Sequence, residues 1–100
     1  MASMNESDAR QYGEAHAAAL LARDFKHLGD DIDPSARDAV GALAKELPNP
    51  IVSARVDVRA VSEDHAVLRI EYVGDNESTT LESTWRQSGD RYRIFQAKLV

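Results

Sequence analysis

The spacing of apolar residues changes at Pro48-Asn49-Pro50, and this change restricts the chain to a two-part fold. Before it, apolar side chains recur every three or four positions, and ten of the 15 alanines fall between Asn5 and Leu47. Ala has the highest helix propensity, and a buried helix face repeats at about 3.6 residues, so this half reads as helix. After it the period is two, in four segments parted by Ser62-Glu63-Asp64, Gly74-Asp75-Asn76-Glu77 and Ser88-Gly89-Asp90. Such turn residues between alternating runs describe an antiparallel meander. We therefore expect an α+β fold in one domain over residues 1–100, with helices at about 5–47 packed on a four-stranded sheet at about 51–100.

Within the helical half, Ser3 with Glu6, or Ser7 alone, can cap a first helix that ends near Arg23. Its inner stripe is Ala9, Tyr12, His16, Ala19, Leu20 and Arg23. Asp24 can cap a short second helix with Phe25, Leu28 and Ile32 on one side. Asp33-Pro34 restarts the chain, because Pro is tolerated at a first helical position. A third stripe, Ala36, Ala39, Val40, Leu43, Ala44 and Leu47, then runs to the stop at Pro48.

In the second half, Val52, Ala54, Val56, Val58 and Ala60 alternate with polar residues, as do Ala66, Leu68, Ile70 and Tyr72, and Leu81, Ser83 and Trp85. Pairing Val61 with His65 across the first turn sets Asp57 opposite Arg69 and Arg55 opposite Glu71. Pairing Val73 with Ser78 sets Arg69 opposite Glu82, Ile70 opposite Leu81 and Ala66 opposite Trp85. Opposite charges then meet on one face and apolar residues on the other, which fixes the register. The last segment changes phase: Tyr92 and Ile94 share one parity, Phe95, Ala97 and Leu99 the other. Either both faces are covered or a bulge lies near Ile94, and we favour the bulge.

Composition narrows function by exclusion. The chain carries 17 acidic and 12 basic residues, net −5, which opposes wrapping of nucleic acid through its phosphates. It has no Cys, so no disulfide frame, thiolate nucleophile or Cys-ligated zinc. No apolar stretch approaches a membrane span and the amino terminus lacks a signal pattern, so the expectation is a cytoplasmic protein without membrane attachment. No metal-ligand spacing or Gly-rich phosphate loop is present, and no cofactor is expected. Of the 43 hydrophobic residues only 28 are larger than Ala, a small core for which homodimerisation is a natural supplement.

The step Ala19-Leu20-Leu21-Ala22-Arg23-Asp24-Phe25 after an alanine-rich helix resembles the opening of the nuclear transport factor two-like superfamily. Val58-Arg59-Ala60-Val61, Ala66 to Tyr72, Thr84-Trp85-Arg86 and Tyr92-Arg93-Ile94 are similar to its closing meander. The resemblance implies a cone-like curved sheet with a pocket for a small apolar ligand, and pairing through the sheet. It also implies a departure, because the hairpin usual between the second and third helices is replaced by Asp33-Pro34. Against ketosteroid isomerase, a member, His16 falls at the oxyanion-hole tyrosine and Ser83, or its neighbour Glu82, near the protonated aspartate. The catalytic base has no counterpart.

His16 is the candidate acid/base, since an imidazole on an apolar stripe can donate a hydrogen bond or take a proton near neutral pH. The candidate ligand-binding set is His16, Tyr12, Ser83, Trp85 and Tyr72, with Tyr92 able to join it, although core packing accounts for the aromatic residues more simply. His27 and His65 read as surface residues, and Asp30, Asp31 and Asp33 as helix-capping acids. The sequence thus describes a small non-enzymatic binding or interaction module, with an isomerase- or cyclase-like enzyme using His16 as the alternative. In a homodimer paired through the outer sheet face, Phe95, Ala97 and Leu99 would join Arg69 and Glu82 at the interface.

Overall fold

The computed structural model describes residues 5–100. Three helices precede a four-stranded antiparallel sheet: α1 (Glu6–Ala22), α2 (Phe25–Asp31), α3 (Arg37–Leu43), β1 (Ser53–Val61), β2 (His65–Val73), β3 (Ser78–Ser88) and β4 (Arg91–Leu99). Strand order follows chain order, so the sheet is a simple meander and the fold is α+β.

Asn5 caps α1, accepting the Asp8 N–H at 2.8 Å, in place of the expected serines. Ser7 lies inside the first turn, and Ser3 falls outside the described residues. Asn is as good a cap as Ser, and this choice puts Glu6 and Asp8 at the positive end of the helix dipole. α1 ends at Arg23, which adopts the left-handed conformation (φ 57°) and is exposed rather than part of the inner stripe. Asp24 caps α2 by accepting the His27 N–H. Phe25 does not join Leu28 and Ile32 inside. It is 70% exposed, because α2 is fastened to the sheet through its last turn and its first turn overhangs.

Pro34 begins a 3-10 turn (Pro34–Ala36), α3 proper starts at Arg37, and a second 3-10 turn (Ala44–Glu46) closes the segment. The expected unbroken stripe is thereby interrupted. Ala36 is buried and Val40 and Leu43 are half-buried, whereas Ala39 and Ala44 face solvent.

From β2 to β3 the register is as charge and burial require, with Arg69 opposite Glu82, Ile70 opposite Leu81 and Ala66 opposite Trp85. β1 holds Arg55 opposite Glu71 and Asp57 opposite Arg69, but Arg59 is an extra residue, so Val61 meets Ala66 instead of His65 and Ala60 turns out to solvent. Val61 has more apolar surface to bury than Ala60, and the bulge exchanges them. In β4 Phe95 is the extra residue: Ile94 sits opposite Trp85 and Gln96 opposite Thr84. This bulge restores Ala97 to the face that carries Ile94.

The core has two parts between helices and sheet. One gathers Ala9, Ala66, Leu68, Trp85, Tyr92 and Ile94, and the other Ala17, Ile70 and Tyr72 with Leu20, Leu47 and Ile51 against them. α1 approaches the sheet closely at Gly13, where a Cβ would lie 2.9 Å from both Leu68 Cδ1 and Val56 Cγ1. Gly13→Val should therefore lower unfolding free energy by about 2 kcal/mol in urea titrations, as overpacking does, even though Gly is the poorer helix former.

Candidate functional site

Asp31, the last residue of α2, lies on the apolar side of that helix with Leu28 and Ile32, and its side chain is 2% exposed. An ionised carboxylate only accepts hydrogen bonds, so its neighbours must donate. His16 of α1 donates Nδ1–H to Oδ2 at 2.8 Å. His27, one turn before Asp31, directs Nε2 at the same oxygen from 3.2 Å. Arg91 of β4 donates Nη2–H to Oδ1. Three elements thus meet on one buried charge.

Neighbouring backbone extends the junction. Asp33 N–H donates to the Ile94 carbonyl (2.9 Å), Arg93 Nε–H to the Asp30 carbonyl (3.0 Å), and Ser88 Oγ–H to Asp33 Oδ1 (2.9 Å). Residues 30–33 are therefore held to the β3–β4 hairpin by side chains and main chain together.

Burial pushes the Asp31 carboxyl pKa up, but hydrogen bonds from His16 and Arg91 and the charges of both histidines outweigh it and hold the group below its ordinary range. Because the folded-state value is depressed, this stabilisation is complete above the unfolded value of about 4 and is lost as pH falls through the folded one. The phenol of Tyr72 is shifted upward, by burial first and by the Asp31 charge second.

The candidate residues separate into two places. His16 is 8% exposed and stands edge-on to Trp85, with ring centroids 5.8 Å apart. Tyr12 packs on Trp85 (5.5 Å) and on Tyr92 (6.1 Å), with the Arg91 guanidinium 5.4 Å from its ring centre. Ser83 accepts the Trp85 Nε1–H at 2.9 Å. Tyr72 belongs to the other half of the core. Glu82, the alternative to Ser83, lies on the outer face, ion-paired to Arg69 (3.0 Å) and Lys98 (3.4 Å).

Two expectations are corrected. His27 is half-buried on Asp31 instead of being a free surface residue, because position i+4 on a helix brings its ring to the carboxylate. Asp31 itself is no capping acid; it faces inward as the shared acceptor, while Asp33 does cap, accepting the Ser35 N–H at 3.1 Å. His65 stays local to its turn, beside Asp64 and Ser62. Asp31 had one detectable signal, its place between Leu28 and Ile32 on a helix face. Arg91 had none.

The His16–Asp31 pair has the parts of a general base, a carboxylate that orients an imidazole through Nδ1. Both imidazoles point at one carboxylate oxygen, and among the described residues no group of three or more His, Cys, Asp or Glu side chains is arranged to hold a metal ion. A groove of about 470 Å³ opens elsewhere, where the ends of α1 and α2 meet the segment from Ala44 to Ile51. Leu20, Leu21, Phe25, Leu47 and Ile51 give it an apolar lining, to which Arg23 and Lys45 add charge, and its lining includes none of the candidate residues. No described helix is long and apolar enough to cross a membrane.

No family model, curated protein or solved structure matches this chain. The likeness to nuclear transport factor two-like proteins accordingly rests on the sequence pattern.

Asp31→Asn should lower unfolding free energy at pH 7 by about 3 kcal/mol, the scale for breaking a buried ion pair. Urea titrations repeated at falling pH should show the difference shrinking below about pH 4. A difference that stays constant to pH 2.5 would mean that the charge of Asp31 contributes nothing.

Proposed function

We propose that the protein is a small non-enzymatic binding module of the nuclear transport factor two-like kind, working in the cytoplasm and taking a small apolar ligand in the groove at the end of α1. The observation that carries this reading is the pairing of a filled interior with an open groove. His16 is 8% exposed and stands against Trp85, which has no exposed surface and is itself covered by Tyr12, with Tyr92 packed on Tyr12. At the groove, Phe25 and Leu21 present apolar surface to solvent beside a concavity whose volume falls in the usual range for small-ligand sites.

Titration with the uncharged fluorophore N-phenyl-1-naphthylamine tests it. The expected result is saturable enhancement that Phe25→Ser weakens about tenfold, since burying a Phe contributes about 1.5–3 kcal/mol. Phe25 is exposed, so this change should leave the fold intact. Absence of saturable binding, or binding indifferent to Phe25→Ser, defeats the reading.

The isomerase- or cyclase-like alternative draws on the His16–Asp31 hydrogen bond. It requires a ligand beside His16, so amide chemical-shift changes on ligand addition that centre on His16 and Trp85, with Leu20, Phe25 and Leu47 unmoved, would favour it.

Pairing of two copies through the outer sheet face is the remaining part of the proposal. Its support is the small core and the half-buried Phe95 at the β4 bulge, beside a face carrying Arg69 and Glu82. Sedimentation equilibrium should give a dimer at tens of micromolar and a folded monomer for Phe95→Glu, because a charge would be stranded in the contact. A monomeric wild type rejects the pairing, as does a variant that unfolds.

A further inference from the structure

From the charges lining the groove we infer that it selects an amphipathic monoanion, a free medium-chain carboxylate whose apolar tail lies on Leu20, Phe25, Leu47 and Ile51 and whose head group is held by Arg23 and Lys45. This deepens the binding-module reading and rests on it.

The chain as a whole is acidic, net −5, yet the groove lining contains two cations and no Asp or Glu. Of the ten basic residues outside the groove, Arg10, Arg55, Arg59, Arg69, Arg91 and Lys98 have carboxylate partners, Arg37 and Arg93 donate to backbone carbonyls, and Lys26 and Arg86 have no ion pair among the described residues. What sets Arg23 and Lys45 apart is therefore their place in one apolar concavity. Among the described residues no ion pair involves Arg23 or Lys45. Two cations thus share an apolar groove with no protein anion on them.

Arg23 adds a second argument. It occupies the left-handed position after α1, with φ 57°, where glycine or asparagine fits better. An arginine there opposes the backbone's preference while its side chain contributes to the groove. A guanidinium offers a forked pair of donors that matches a carboxylate, and a lysine ammonium adds a compact charge.

Exposed Phe25 and Leu21 next to basic residues also suit an anionic membrane surface. A concave groove suits one small molecule better than a flat bilayer face, however, and the net negative charge of the chain repels an extended anionic surface.

Isothermal titration of the intact protein with decanoate, decanol and decyltrimethylammonium, each below its aggregation concentration, tests the inference. Decanoate should bind about tenfold more tightly than decanol, a step typical of a charge-assisted hydrogen bond, and the cation most weakly. Added salt should narrow the gap between decanoate and decanol, because the pair is partly exposed. Arg23→Gly and Lys45→Gln should each bring decanoate toward decanol. For Arg23→Gly the melting temperature should hold or rise, since glycine relieves the left-handed residue, so weakened binding cannot be attributed to unfolding.

Equal binding of decanoate and decanol would overturn the anion selection while leaving the binding module standing. Failure of all three ligands to bind would remove both readings. Decanoate binding that neither variant changes would place the anion elsewhere and overturn the assignment. Association seen only with phosphatidylglycerol vesicles, and not with monomeric decanoate, would identify a membrane surface and equally overturn it.

Discussion

A carboxylate removed from water is the constraint around which this small protein is arranged. Burying an ion costs several kcal/mol even after relaxation, and the cost is offset only where its lone pairs are met. Asp31 is met from three directions, by His16 from α1, His27 from its own helix and Arg91 from β4. His27 needs only α2 to be formed, but His16 and Arg91 reach Asp31 only when α1 and the last strand are also in place. The interaction therefore does less to add net stability than to penalise arrangements in which α2 or β4 sits elsewhere, a role suited to a two-turn helix with little apolar surface to position it.

Apolar packing alone would leave that freedom. Alanines and Gly13 let α1 lie close on β1 and β2, which brings backbones together but buries little area per residue. α3 and its flanking 3-10 turns bury still less, with Ala39 and Ala44 in solvent. The sheet side supplies the bulk, through Trp85, Tyr72, Leu68, Ile70 and Ile94. The molecule is thus a well-specified sheet covered by lightly anchored helices, and the junction at residues 30–33 compensates for the light anchoring.

The legibility of each feature in the sequence follows from whether its cause is local. The meander and its central register were readable because alternation and opposite charges both favour one pairing, as with Arg69 and Glu82. The β4 bulge was readable because Ile94 and Ala97 are both apolar at opposite parity. Its β1 counterpart was hidden: Val58 and Ala60 alternate regularly, and only the greater burial of Val61 over Ala60 decides the phase. His16 sits on a helical stripe that marks it as inward, but the inward role of Asp31 depends on Arg91, sixty residues further on, and locally its run of acids reads as capping. The groove was also beyond reach, since it depends on the overhang of Phe25 and on the placement of the Ala44–Ile51 segment, which no period in the sequence describes.

The two bulges have a joint consequence for shape. Arg59 and Phe95 are extra residues on the two edge strands, and both lie level with the rung where Val67 faces Thr84, while β2 and β3 pair without interruption. Across that rung the margins of the sheet are each one residue longer than its midline. A bulge takes up its extra residue by bending its strand and increasing the local right-handed twist, so at this level both margins coil more strongly than the uninterrupted centre.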